Sequence, residues 1–238
     1  MIEIFDFDSP KLSMPFAIYS MRNSFNSWEK SDTDYSRTGD RFEIGDKDLA
    51  LAKRLALGGG SHAKYRRMII VNIEITAPLY WWKEFDTYKV GTVCNSSSTM
   101  HKIADHEFTR KDFSCEHLMR FEGGNIHGET PMVLVNIDYL SPRGVLDATI
   151  AQLNECRRLY VETQDKKYWW QMIQLLPSSY EQFRSIQLNY EVLHNIYRDR
   201  RNHKLDEWRD FCKWIEELPY FNEIIWPEGS KEVTGDAD

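Results

Sequence analysis

The chain has 238 residues, 42% of them hydrophobic, enough to bury a sizeable core as one large domain or two small ones. Its formal net charge of -7 argues against a nucleic-acid backbone as the main ligand, because that binding runs on clustered Lys and Arg displacing counterions; a small anion can still bind at a local basic spot. Cys94, Cys115, Cys156 and Cys212 are widely spaced without a CxxC pair, which argues against both a zinc knuckle and a disulfide framework.

In chain order, "IEIFDF" at positions 2 to 7 alternates apolar and polar residues as a half-buried strand does. Glu3 and the lack of a long apolar stretch give no signal peptide and no membrane span, so a cytoplasmic location is expected. "GDKDLALAKRLALGGG" predicts a helix with Asp46 as N-cap, Arg54 near its end and Gly58 in the left-handed position beyond it. "MIIVNIEIT" from Met68 is a strand, and Ile69, Val71, Ile73 and Ile75 form its apolar face. "APLYWWKEFDTY" follows as a helix with Pro78 in the first turn.

From Gly91 to about Pro142 periodicity fades, leaving loops with one short strand at "MVLVNI". There "SCEHLMR" reads as a reduced core cysteine, Cys115, beside a surface histidine, His117, with no second ligand pair at zinc spacing. "VLDATIAQLNECRRLYVET", "SYEQFRSIQLNYEVLHNIYRDRR" and "KLDEWRDFCKWIEEL" each carry the helical period, broken by Pro177 and by "NHK". Leu205, Trp208, Cys212 and Ile215 share one face of the last helix. The chain thus reads as α+β, a single domain over 1-225, with a disordered tail over 226-238 that includes "EGSKEVTGDAD".

The glycines of "LALGGGSHAKYRR" follow a helix and precede a strand. A dinucleotide-type loop needs the opposite order, so that a helix N-terminus faces the phosphate. With no GxGxxG, no GxxxxGK[ST] and no GxSxG elbow in the chain, Gly58 to Gly60 read locally as a helix stop and His62 as a solvated loop residue.

The order of segments from His62 to Met100 is loop histidine, alternating strand, "AP", aromatic helix and a loop with "VCNSSSTMHK". This resembles the flavin-dependent thymidylate synthases. An ungapped reading puts His62 on that family's loop histidine, Glu84 on a glutamine, and Thr87, Tyr88 and Lys89 on its Arg-His-Arg triplet. Ser97, Ser98, Thr99 and Met100 then fall on its Ser-Gly-Arg-Tyr loop. "LLPSSYEQFRSIQLNYEVLHNIYRDRRNHKLDEW" is similar to the family's Leu-Pro turn, its long helix with two asparagines, here Asn189 and Asn195, an arginine near its end, and a final helix with tryptophan. Counting from Asn189 selects Arg200 as the substrate arginine, and counting back from Trp208 selects Arg201. On one helix, positions eleven apart lie almost on the same face, which would put Asn189 and Arg200 on one wall.

The resemblance covers positions 46 to 102 and 145 to 217. It implies a flavin-dependent thymidylate synthase-like fold, with a small antiparallel or mixed sheet and a helical C-terminal half, in a homotetramer. It also implies reductive methylation of dUMP to dTMP with FAD, methylenetetrahydrofolate as carbon donor and NADPH as reductant. Under it, His62, Thr87, Tyr88, Lys89, Asn189 and Asn195 hold the flavin, Glu84, Ser97, Ser98 and Thr99 meet the nucleotide, and Arg200 or Arg201 polarises the uracil carbonyls.

Several positions depart from the family. Lys89 is the one cation kept from the triplet, Thr99 replaces the phosphate arginine, Ile173 stands where another arginine is expected, and Glu84 replaces a neutral amide. A carboxylate beside a phosphate dianion costs binding energy unless a cation lies between them. His101, Lys102, Arg66 and Arg67 are candidate replacement charges, although "YRR" reads equally as a solvated strand start. Tyr80, Trp81, Trp82, Phe85 and Tyr88 form either core or a stacking surface, and Tyr88 is the residue favoured for stacking because it takes the histidine's place. Two alternatives follow from the departures: an enzyme of the same fold acting on another pyrimidine nucleotide, and a non-catalytic homologue that has lost flavin.

Overall fold

The computed structural model describes residues 2–36, 41–120 and 141–230. The strand expected at "MVLVNI" and the tail from 231 onward lie outside these residues. The chain clusters into two compact units: a sheet unit of residues 2–76, 84–96 and 183 onward, and a hairpin unit of residues 77–83 and 97–182.

The sheet unit is built on a four-stranded sheet ordered β1-β4-β6-β5, from β1 (Glu3–Asp6), β4 (Ile70–Pro78), β5 (Val93–Ser96) and β6 (Glu181–Asn189). β1 runs antiparallel to β4, pairing Glu3 with Thr76 and Asp6 with Ile73, and β5 runs antiparallel to β6, pairing Val93 with Gln187 and Ser96 with Arg184. In β4 the expected apolar face is the core: Ile69, Val71, Ile73, Ile75 and Ala77 are at most 1% exposed. Side chains alternate across a strand, so one run of β-branched residues fixes which face is buried.

Two expectations fail here for one reason. "EQFRSIQLN" was expected within a helix and is β6, while "VCNS" was expected in a loop and is β5. The apolar residues of 181–189 fit either period, and β6 lies between β4 and β5 in the sheet, where ladder bonds on both edges outweigh helix preference. Helix α7 (Tyr190–Arg200) therefore begins only at Tyr190.

Before the sheet come α1 (Met14–Ser20), the short pair β2 (Asp34–Tyr35) and β3 (Phe42–Glu43), and α2 (Asp46–Gly58). The caps of α2 lie one residue outside those expected. Gly45 is the N-cap, and Asp32 supplies the capping oxygens, accepting from the N–H of Lys47 at 3.0 Å and of Asp48 at 3.1 Å. A Cβ on Gly45 would lie 2.3 Å from Cγ of Asp32, so the close approach of the cap demands glycine. At the other end Gly58 is still helical, and Gly59 and Gly60 take the left-handed turn with φ of 59° and 50°. Asp48, in the first turn, is fully buried against Arg22.

α8 (Asp206–Glu216) buries Trp208, Phe211, Cys212 and Ile215, while Leu205 is its N-cap. The ordered chain then continues past the expected boundary at 226. After Tyr220 in a left-handed conformation, a π-turn at Phe221–Ile225 places Trp226 against the rings of His194 and Tyr197.

In the hairpin unit, α5 (Pro142–Thr163) and α6 (Lys166–Leu175) are joined through Gln164 in the left-handed region. Ile103, Phe108, Phe113, Leu146, Leu153 and Met172 form its core, and Ile173 packs against them as an ordinary apolar residue. Asn154 clamps the connecting segment, accepting from the N–H of Phe108 and donating to its carbonyl. Pro78 ends β4 instead of starting the next helix. α3 (Leu79–Phe85) follows at once, its first two N–H groups donating to the carbonyls of Tyr180 and Ser178. Among the described residues no helix is long and apolar enough to cross a membrane.

Candidate functional site

Three chain segments of the sheet unit converge on Arg200. Glu84 comes from the last turn of α3, Tyr88 from the loop after it, and His203 and Trp208 from the turn and helix after α7. Arg200 Nη1 is 3.0 Å from Glu84 Oε2, and its Nε donates to Tyr88 Oη at 3.0 Å. The guanidinium carbon lies 4.9 Å from the Trp208 ring centroid and 5.8 Å from that of Tyr88. Glu84 Oε2 also accepts from Trp208 Nε1 at 2.9 Å and lies 3.7 Å from His203 Nε2. Trp208 is fully buried, stacked with Phe85, and so gives the cluster a rigid floor.

Electrostatically the centre is a balanced ion pair. Burial pushes the Tyr88 phenol above its ordinary value and Arg200 pulls the other way without cancelling the shift, so the hydroxyl stays protonated. Burial lowers the His203 imidazole, Glu84 opposes this, and the charges of Arg200, Lys204 and Arg209 add to the lowering, so His203 is neutral at pH 7. Arg200 Nη2 makes no hydrogen bond among the described residues, and its side chain is 22% exposed. That donor is available to a ligand.

The structure separates the two arginines that the sequence left as alternatives. Arg200 joins the cluster, whereas Arg201, at the C-cap of α7, lays its guanidinium over Trp226 at 4.8 Å and over Tyr197 at 5.8 Å.

Asn189 requires a correction. It is extended, not helical, and caps α7: its Oδ1 accepts from the N–H groups of Glu191 and Val192, both at 3.1 Å, and its Nδ2 donates to the Gly91 carbonyl at 3.3 Å. Gly91 has φ of 83°, and a Cβ there would lie 2.5 Å from that Nδ2, so this contact needs glycine twice over. Asn189→Ala is expected to cost about 1 to 2 kcal/mol of folding stability, the loss of a cap plus a buried bond, read from the denaturant midpoint. An unchanged midpoint would mean that the cap is dispensable.

The other expected flavin residues are more dispersed. Thr87 Oγ1 donates to the Glu84 carbonyl at 2.7 Å, Lys89 is exposed, and Asn195 is half-buried on α7. His62 is exposed at the start of a 3-10 turn, His62–Met68, with its ring close over Gly58, where an added Cβ would lie 3.3 Å from that of His62. The turn also corrects the reading of "YRR": Tyr65 and Arg66 are buried, and Arg66 donates to the Ile225 carbonyl and faces Glu191, so it is no replacement phosphate ligand. Arg67 is exposed.

Ser97, Ser98 and Thr99 belong to the hairpin unit, where Gln182 Nε2 donates to the Ser97 carbonyl at 3.0 Å and to Thr99 Oγ1 at 3.1 Å. Ser98 Oγ caps the short helix α4 (Thr99–Lys102). Of the aromatic set, Trp81, Trp82 and Phe85 are core, and Tyr88 alone meets the arginine. Sequence reasoning passed over Gly91, His203 and Gln182; a glycine in a polar loop was the sole local signal for the first.

No protein-family model and no curated protein matches the chain. Among solved structures, its α+β fold is that of the flavin-dependent thymidylate synthases. One such match is ThyX from Helicobacter pylori complexed with FAD and dUMP, with a TM-score of 0.61 and 18% identity over 96% of this chain and 100% of that one. Another is the UMP/dUMP methylase PolB from Streptomyces cacaoi bound with 5-Br dUMP, with a TM-score of 0.58 and 16% identity over 94% of each chain. At these identities the likeness is one of fold.

Proposed function

We propose that the chain is a flavin-dependent enzyme that methylates the uracil ring of dUMP, with methylenetetrahydrofolate as carbon donor and NADPH as reductant. The observation that carries the proposal is Arg200, held by Glu84, Tyr88 and Trp208 with one donor nitrogen left over, at the end of α7 in a fold of which one solved example, ThyX from Helicobacter pylori, holds FAD and dUMP.

The Arg200–Glu84 pair is net neutral, so it suits an uncharged pyrimidine ring better than a phosphate. Arg200 Nη2 donates to a uracil carbonyl, drawing electron density from the ring as charge develops on that oxygen. Glu84 and Tyr88 keep the guanidinium from rotating, so the donor is aimed before the substrate arrives. Neutral His203, beside Glu84, adds a polar group without adding charge.

The donor set fits a flavin in part. Exposed His62 and Lys89, with half-buried Asn195, offer hydrogen-bonding groups for a ring and, at Lys89, a positive charge for a diphosphate, while the polar atoms of Asn189 already bond within the chain. When bound, the reduced flavin supplies the electrons of the methylation. In this reading the working form is a homotetramer in the cytoplasm, and Ser97 to Thr99 meet the nucleotide.

The test is the visible absorption spectrum after adding FAD and desalting, followed by dTMP formation from dUMP. Retained flavin bands and turnover are the expected result. A colourless protein leaves a non-catalytic member of the fold. Flavin bands that UMP perturbs and dUMP does not would move the substrate to the ribonucleotide.

A further inference from the structure

The sheet unit also holds a cavity of about 500 Å³ that shares no residue with the Arg200 cluster. Lys47 and Arg54 line it from one face of α2, two helical turns and roughly 10 Å apart along the axis. Arg22, Phe25, Ser27 and Lys30 line it from the segment after α1, and no Asp or Glu is among the lining residues.

The charges are not used up within the fold. Arg22 is 4% exposed; its Nε donates to Asp48 Oδ1 at 2.5 Å and its Nη1 to the Ser27 carbonyl at 3.4 Å, while Nη2 makes no hydrogen bond among the described residues. Asp48 neutralises that arginine. Lys30, Lys47 and Arg54 form no ion pair among the described residues, which leaves three cations around one concavity in a chain of net charge -7. The Phe25 ring is 50% exposed, with the Arg54 guanidinium 5.8 Å from its centroid. A volume of this size is in the range that holds a small ligand. Three cations lining one space attract a compact polyanion, and the unbonded Nη2 of the otherwise buried Arg22 gives it a directed bond at the wall.

We propose that this cavity binds an oligophosphate, specifically the triphosphate of a nucleotide, with Lys30, Lys47, Arg54 and Arg22 Nη2 around the phosphates and the base against Phe25. The site is separate from the uracil-directed arginine and does not depend on the reaction proposed above.

The test is calorimetric titration of the full chain at low salt with inorganic tripolyphosphate and, separately, with ATP. One ATP per chain is expected, roughly fivefold tighter than tripolyphosphate, with both affinities falling as salt rises. Lys47→Gln combined with Arg54→Gln should weaken both ligands by roughly tenfold or more, with circular dichroism and melting temperature unchanged because both side chains are exposed. Phe25→Ala should erase the advantage of ATP, and Arg200→Lys should leave both affinities intact. The proposal is overturned by failure of both ligands to bind, by binding that ignores the double substitution, or by binding lost in Arg200→Lys. An ATP advantage that survives Phe25→Ala would overturn the placement of the base.

Discussion

Arg200→Lys is expected to lower kcat/KM for dUMP by roughly a hundredfold, about 2.7 kcal/mol of transition-state stabilisation, while folding stability changes by about 1 kcal/mol or less. Lysine keeps a positive charge near the half-buried Glu84, so that carboxylate is not left without a counter-charge. It lacks the planar fork that reaches Tyr88 Oη and Glu84 together at 3.0 Å each while lying over Trp208, and it leaves no second nitrogen aimed at a carbonyl. The loss should therefore fall on kcat more than on KM, because the missing bond strengthens as charge builds on the uracil oxygen.

Glu84→Gln is the companion measurement. The amide oxygen still accepts from Trp208 Nε1, but the ionic anchor on Arg200 is gone, so a smaller loss, roughly tenfold in kcat, is expected. If Arg200→Lys retained full kcat, the arginine would be structural and the assignment of the uracil site would fall with it.

What the sequence made legible follows from which interactions are local. β4 was readable because apolar and polar residues alternate from Val71 to Thr76 within a β-branched run, and α8 because Trp208, Cys212 and Ile215 recur at helical spacing. β6 was not, because its character comes from strands paired on either side, and one of these, β5, begins 88 positions earlier and is only four residues long, too short for an alternating pattern to announce it. That error carried into the site. With 179–201 read as one helix, Asn189 and Arg200 fell on one wall; with the helix starting at Tyr190, Asn189 is a side-chain cap and only Arg200 remains. An asparagine just before a helix start is an N-cap signal, but it becomes legible only once β6 places that start at Tyr190. The choice between Arg200 and Arg201 was beyond the sequence for a different reason. It depends on contacts with Glu84 and Tyr88, more than a hundred residues away, and with Trp226, which lies past the expected domain end.

The largest expected effect on stability lies at Asp48, where replacement by asparagine should cost about 3 to 5 kcal/mol. The carboxylate is fully buried and nearly every lone pair is used. Oδ1 takes Arg22 Nε at 2.5 Å, and Oδ2 takes the Ser31 and Thr33 hydroxyls, both at 2.6 Å, and the N–H groups of Thr33 and Asp32 at 3.1 and 3.2 Å. Asparagine removes the charge opposite a buried guanidinium and turns an NH2 toward either Arg22 or two backbone donors, so repulsion replaces attraction at one end. Burial alone would push the Asp48 carboxyl up; the bonds from Ser31, Thr33 and Arg22, with the charge of Arg22, outweigh it and hold the group below the ordinary aspartate value of about 3.9. The sign of the pH effect follows. Because the folded value is the lower one, this contribution is complete above about pH 4 and is lost as acid carries the pH down through the folded value. Chemical denaturation at pH 7 and at pH 3 separates the terms: the gap between Asp48→Asn and the native chain should be widest at pH 7 and narrower at pH 3, below the ordinary aspartate value, where Asp48 of the unfolded chain takes up its proton and the folded carboxylate loses its advantage. A gap below about 1 kcal/mol at pH 7 would show that the Arg22–Asp48 clasp, and with it the wall of the basic cavity, is open in solution.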